Sequence, residues 1–249
     1  MCATARAPER AEALVREARR ENLDLAVTRL DVTDDLSVLE CVARIVAEEG
    51  RLDVLVNNAG VLHLGSVELL PTSTLQETFE TNFFGAIRTV RAVLPTMRAQ
   101  GSGTIVNVAS LAGLLAAPPM NWSYAASKAA LSKLSDALAW EVEPFGIKVV
   151  CVHPGVYGTQ IVARASRSSD EESPYRAYEQ AIASFFDEAM KKAPDPQTVA
   201  EAIVAAVERP ADATAVHVLV GEDSEYFANA YRSMRESDYK AMVRPVYGF

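Results

Sequence analysis

Short runs rich in β-branched residues alternate with longer amphipathic stretches along the whole chain, and this rhythm limits what it can fold into more than any other feature. Leu25 to Leu30, Asp53 to Val56, Thr104 to Ala109, Ile147 to Val152 and Val216 to Val220 read as strands. Pro8 to Arg20, Asp34 to Glu49, Thr72 to Gln100, Ser123 to Glu143, Tyr178 to Lys191 and Pro196 to Val207 read as helices, with Pro8 and Asp34 standing where helices start. Apolar strands separated by helices pair in parallel and are covered on both faces, so the expected class is α/β with a doubly wound sheet. There is no internal repeat, low-complexity block or linker, and residues 1–249 are expected to form a single domain. After Pro154 the pattern loosens, and residues 160–195 are expected to act as a substrate loop or lid.

Charge and composition exclude several functions. Lys and Arg number 24 against 33 Asp and Glu, a net charge of −9 that repels phosphate backbones and anionic lipid, so neither nucleic acid nor membrane is an expected partner. The first twenty residues carry eight charged side chains from Arg6 to Arg20, which leaves no apolar signal core. The longest apolar stretch, Leu111 to Met120, is too short to span a bilayer and contains Pro118 and Pro119, and a cytoplasmic protein is expected. Cys2, Cys41 and Cys151 lack C-x-x-C spacing and read as small core hydrophobes in a reducing compartment. His63, His153 and His217 are far apart in sequence, so no metal site is expected and each histidine reads as a surface or loop residue.

The most informative short motif is Tyr124-Ala125-Ala126-Ser127-Lys128. Four-residue spacing on a helix sets the phenol and the ammonium on one face, one turn apart. Lowering a tyrosine from a pKa near ~10 to about 7 requires about 4 kcal/mol of preference for the phenolate, toward which a close cation contributes. The same spacing also fits an exposed Tyr and Lys on an amphipathic helix. Fourteen residues upstream, the strand Ile105 to Ala109 ends in Ser110, where parallel sheets gather their ligands; its hydroxyl can donate to a substrate carbonyl or cap a turn. Asn57-Asn58-Ala59-Gly60 follows another strand, and Asn82 sits inside a helix, where asparagine is disfavoured unless it makes a buried hydrogen bond. Pro154-Gly155, with Thr159 four residues past the glycine, marks a tight turn whose backbone can approach a ligand.

Taken in order, Leu30-Asp31-Val32, Asn57-Asn58-Ala59-Gly60, Asn82, Ser110, Tyr124-x-x-x-Lys128 and Pro154-Gly155-x-x-x-Thr159 resemble the short-chain dehydrogenase/reductase family over residues 1 to about 220. The resemblance implies a Rossmann-like sheet, a nicotinamide cofactor and hydride transfer between it and an alcohol or carbonyl. It implies that Tyr124 is the general acid/base, Ser110 orients the substrate oxygen, Lys128 binds the ribose and modulates Tyr124, and Asn82 holds a relay water. Asp31 and Val32 would flank the adenine, Asn57, Ala59 and Gly60 would line the cofactor groove, and Pro154, Gly155, Val156 and Thr159 would meet the carboxamide end. Arg6, where NAD-selective members place a carboxylate, suits a 2′-phosphate, so NADP is favoured over NAD. The apolar Leu111, Leu114, Leu115, Met120 and Trp122 suit a hydrophobic alcohol or carbonyl. A homodimer or homotetramer, paired through Thr72 to Gln100 and Ser123 to Glu143, is implied by resemblance alone.

One departure stands out. The first glycine is Gly50, so the family's T-G-x-x-x-G-x-G phosphate turn is missing, and Gly101-Ser102-Gly103 precedes a strand rather than a helix. The expected fold is therefore N-terminally truncated, with the first strand and helix absent, as in a fragment of a longer enzyme. The family's second and fourth strands then face each other across a gap, or the sheet re-pairs. The alternatives are a non-catalytic pseudoenzyme and a non-redox epimerase, dehydratase or cyclase that uses Tyr124 as acid/base.

Overall fold

In the computed structural model, residues 1–167, 172–210 and 216–248 are described. A parallel four-stranded sheet runs in the order β3 (Val54–Asn57), β5 (Gly103–Val108), β6 (Ile147–Pro154), β8 (His217–Val220). β5 and β6 are buried along nearly their whole length, as continuous apolar runs demand. The register aligns Asn57 with Asn107, Val106 with Val150 and Cys151 with His217.

Helices cover both faces. On one, α4 (Gly85–Gln100) and α5 (Trp122–Val142) bury Val90, Val93, Met97, Leu138 and Val142 against Ile105, Ile147 and Val149. On the other, α8 (Gln197–Glu208) brings Ala206 against Val106, Val150, Val152 and Val220. Alternation along β6 thus sends Ile147, Val149, Cys151 and His153 toward α5, and Lys148, Val150 and Val152 toward α8. The buried Lys148 Nζ donates to the carbonyls of Ala206, Val207 and Arg209 at 2.8, 2.7 and 2.6 Å, a cation closing a helix C-terminus.

β1 (Cys2–Ala5) and β2 (Ala26–Arg29) form a separate parallel pair, joined by α1 (Glu12–Arg20). Among the described residues β1 is not bonded to β3, so the sheet is divided where the sequence placed a gap and has not re-paired. Val54 and Val56 of β3 are 40% and 42% exposed. α2 (Asp35–Glu49) starts where Asp34 accepts from the N–H groups of Leu36 and Ser37 and ends at Gly50, whose φ of 72° favours glycine. Its Val42, Ile45 and Val46 pack on the cluster that holds Val90, Val93 and Met97 of α4, and Arg88 adds a polar link by pairing with Asp35 and Glu80 and reaching the Val32 carbonyl.

The expected helix Thr72 to Gln100 is in fact α3 (Thr72–Phe79), a π-helical turn over Glu80–Phe84, and α4. The 160–195 segment is largely helical. It comprises α6 (Gln160–Ala163), β7 (Ser166–Arg167) and α7 (Arg176–Lys192), while part of the proposed lid, 168–171, lies outside the described residues. β7 pairs in parallel with β4 (His63–Leu64), and α7 buries Ile182 and Phe186 against Leu62, Leu64, Met120 and Val162. The chain ends in α9 (Glu222–Ser233) and α10 (Glu236–Val243), which strand and helix patterning did not announce. Among the described residues no helix is long and apolar enough to cross a membrane.

Candidate active site

The first turn of α5 is stitched to the segment after β3. Trp122 Nε1 donates to the Gly65 carbonyl at 3.1 Å and Ser123 Oγ to the His63 carbonyl at 3.4 Å. These bonds fix the helix start, so Tyr124 packs beside Met120, Leu62 and Leu64 while its phenol meets the Ser110 hydroxyl. Ser110 lies just past β5, and its reading as a turn cap holds: its Oγ accepts from Ala112 N–H at 3.2 Å, capping the turn Leu111–Gly113. Gly113 lets that turn lie on α5, since a Cβ there would sit 2.7 Å from the Lys128 carbonyl carbon.

Lys128, one turn beyond Tyr124, is buried. Its Nζ donates to the Val108 carbonyl at 2.7 Å and stands 5.7 Å from the centroid of the Tyr124 ring. Burial lowers the ammonium to about 8, with Cys151 opposing the shift. Burial also pushes the Tyr124 phenol above its ordinary value, and the Ser110 hydrogen bond only partly offsets this. In the protein alone the phenol is thus governed by burial rather than by its lysine. Lys128 is turned to a backbone carbonyl, desolvation dominates, and Tyr124 is a protonated acid.

Asn82, in the π-helical turn, is 1% exposed. Its Oδ1 accepts from Val61 N–H at 2.8 Å, and its Nδ2 donates to the Val61 carbonyl and to Ser127 Oγ at 3.0 Å each. It therefore clamps the loop after β3 onto α5, and Gly60 is brought close by: a Cβ there would lie 3.4 Å from Asn82 Oδ1 and 3.6 Å from Lys128 Nζ. Widened turns of this kind commonly mark functional positions. Beneath the site runs a polar ladder that sequence reading missed apart from Asn57. Thr89 Oγ1 donates to Asn57 Oδ1 (2.6 Å), Asn57 Nδ2 to Asn107 Oδ1 (2.9 Å) and Asn107 Nδ2 to Ser135 Oγ (2.9 Å).

The loop leaving β6 is held from the C-terminal region. Gly155 N–H donates to the Val220 carbonyl at 3.2 Å and Val156 N–H to Asp223 Oδ2 at 2.9 Å. A Cβ on Gly155 would fall 2.1 Å from that carboxylate, so a larger residue would displace the Asp223 side chain from the loop. Pro154 closes β6, and Thr159 stands exposed at the start of α6. Across the divided sheet, Arg6 directly follows β1, and Asp31 follows β2. Burial raises the Asp31 carboxyl, but hydrogen bonds from Thr33 and the charges of Arg6 and Arg29 hold it below its usual range. Val32 packs on Gly85 so closely that a Cβ there would lie 2.8 Å from its Cγ2. Asn58 and Ala59 are exposed past the end of β3.

No histidine is the ordinary surface or loop residue expected. His63 lies in β4 with its side chain only 13% exposed and bonds Ser166; His153 is fully buried in β6; His217 lies in β8 between His153 and Asp136. Burial, joined by the neighbouring His217, lowers His153 to about 4 despite the Ser110 carbonyl and the Asp136 charge, so it is neutral at pH 7. All three cysteines are free, and Cys41 and Cys151 are buried as read.

The donor set fits a nicotinamide nucleotide at its ribose end, where a buried ammonium, a phenol and Asn82 converge beside Gly60, and Arg6 offers a cation at the far end. Comparison with known proteins agrees with this fit. Residues 1–170 match the family model for short chain dehydrogenases, and the chain belongs to that family. It is 44% identical over 130 residues to a 3-ketodihydrosphingosine reductase of Bacteroides thetaiotaomicron, covering 52% of this chain and 48% of that protein. A short-chain dehydrogenase structure from Streptomyces avermitilis superposes with a TM-score of 0.79 at 34% identity, over 98% of this chain and 85% of the other. A gluconate 5-dehydrogenase from Burkholderia cenocepacia, solved with NADP and tartrate, matches with a TM-score of 0.61 at 28% identity, over 64% and 62% of the two chains. The protein is an oxidoreductase of the class that acts on CH–OH groups.

Proposed function

We propose that the protein interconverts an apolar secondary alcohol and its carbonyl compound with NADP, through Ser110, Tyr124, Lys128 and Asn82. The observation that carries this reading is the meeting of Tyr124 and Ser110 above the buried Lys128, on the edge of the apolar cluster of Leu62, Leu64, Met120, Ile182 and Phe186. When bound, the nicotinamide supplies or accepts the hydride. The chain's own residues handle the oxygen: Ser110 Oγ holds it, and the Tyr124 phenol, kept protonated by burial, delivers its proton there in the reductive direction. Lys128 sets a cation beside the phenol, which favours the phenolate left after transfer. Asn82 fixes the loop carrying Gly60 and Val61, so the groove wall keeps its distance from Lys128. The preference for NADP rests on Arg6, whose charge acts on Asp31 at the far end of the groove, and is in line with the NADP held by the Burkholderia relative.

The lid reading of residues 160–195 is supported by α6 and α7, which bring Val162, Ile182 and Phe186 into the apolar cluster. Pairing into a dimer or tetramer through α4 and α5 is supported by Trp140, 78% exposed on α5. The test is NADPH consumption with a series of ketones of increasing chain length, repeated with NADH. Turnover that rises with chain length and prefers NADPH is expected; no consumption with any ketone, nor reduction of NADP by the alcohols, would overturn the proposal.

A further inference from the structure

Cys151 and His153 share the α5 face of β6, and the register sets His217 of β8 directly beside Cys151. Cys151 Sγ and one ring nitrogen from each histidine all lie within 4.8 Å of one another. Cys151 and His153 are fully buried, while 29% of the His217 side chain reaches solvent at the edge strand.

The surrounding hydrogen bonds fix which nitrogens face inward. His153 Nδ1 lies 3.1 Å from the Ser110 carbonyl, which only accepts, so that nitrogen carries a hydrogen. His217 Nε2 lies 2.6 Å from Asp136 Oδ1. A carboxylate oxygen accepts, so His217 Nε2 is the donor. The two remaining nitrogens, His153 Nε2 and His217 Nδ1, face each other at 2.8 Å, a contact that one proton shared between them makes favourable. Two imidazoles steered through their outer N–H groups by a backbone carbonyl and a carboxylate, with inner lone pairs converging beside a thiol, form the orienting shell found around metal ligands.

We propose that Cys151 Sγ, His153 Nε2 and His217 Nδ1 bind one divalent transition-metal ion of the zinc class in place of the shared proton. A thiolate with two imidazoles selects such ions over magnesium or calcium. Metal–nitrogen bonds of about 2.0 Å and a metal–sulfur bond of about 2.3 Å in a tetrahedron place ligand atoms roughly 3.3 to 3.6 Å apart, so the rings must part by about half an ångström and the thiol, within 4.8 Å of the ring nitrogens, must draw in. The charges around the site are Asp136, Lys133 and Lys128 of α5 and Arg232 of α9. The ion would sit one hydrogen bond from the Ser110 carbonyl, joining a metal centre to the residue that orients the substrate oxygen.

Cobalt titration of the chelator-treated full chain tests this directly. One Co2+ per chain is expected, with visible d–d bands and near-ultraviolet thiolate charge transfer, all displaced by one Zn2+. Cys151→Ala should lose the charge transfer, and Asp136→Asn should weaken binding about 10- to 100-fold by freeing His217. In wild-type protein, which needs no variant to fold, the charge-transfer band itself reports a thiolate ligand. Absence of the bands, or bands unchanged in Cys151→Ala, would each overturn the proposal and leave the two histidines a hydrogen-bonded pair.

Discussion

Beneath Tyr124 the protein carries a continuous polar network, whereas across the groove it leaves strand edges open. Asn57, Asn107, Asn82 and Lys128 each find their partners inside the fold, and the ladder from Thr89 to Ser135 ties β3, β5, α4 and α5 into one body. On the other side, among the described residues, β1 and β2 pair only with each other and the buried Thr28 hydroxyl of β2 has no hydrogen-bond partner, while β3 shows Val54 and Val56 to solvent. The contrast separates two tasks. Proton transfer needs groups held to fractions of an ångström, and buried hydrogen bonds that cost heavily when broken hold them there. In the proposed reading, recognition of the nucleotide's far end falls to Arg6 and Asp31, which lie beside the separate β1–β2 pair.

Substitutions that damage one side and spare the other test that contrast. After loss of the Tyr124 hydroxyl, the largest effect is expected from Lys128→Met, which removes the cation beside Tyr124 and leaves the Val108 carbonyl without its donor: turnover should fall about 100-fold. The same variant has a pH signature. Lys128 loses its proton near pH 8 in the folded protein but near ~10.4 in the unfolded chain, so the unfolded chain binds more protons between those values and stability rises with pH there. Below pH 8 the buried cation costs stability in full. Thermal melts of wild type should gain stability from about pH 8 to ~10.4 relative to Lys128→Met. Asn107→Leu should come next, costing about 1–3 kcal/mol in denaturant unfolding, because Asn57 and Ser135 lose their shared partner in the core. Val56→Thr, on the open edge of β3, should stay within about 0.5 kcal/mol of wild type. A large loss there, or none for Asn107→Leu, would break the comparison.

Local signals in the sequence were legible and distant ones were not. Most expected strands and helices lie within a few residues of their observed ends, because apolar periodicity and markers such as Asp34 are local. The π-helical turn at Asn82 escaped because helical periodicity runs unbroken through it, and only a helix-interior asparagine hinted at a buried bond. α9 and α10 are short and dense in charge, so their pattern is faint. Ser110, Tyr124 and Lys128 were legible from spacing, yet the direction of the tyrosine's shift was not, since burial is a property of the assembled fold. Asp223, which holds the loop at Gly155, and His217, which meets His153 from 64 residues away, are joined to the site by topology that no local pattern records.

The central claim is that Tyr124 supplies the proton on a scaffold that stands without its hydroxyl. Turnover of an apolar ketone by wild type and Tyr124→Phe, with NADPH binding followed by fluorescence and folding by thermal melt, tests it most directly. The variant should bind NADPH and melt as wild type does, while turnover falls about 1,000-fold. Turnover near the wild-type rate in Tyr124→Phe would contradict the account.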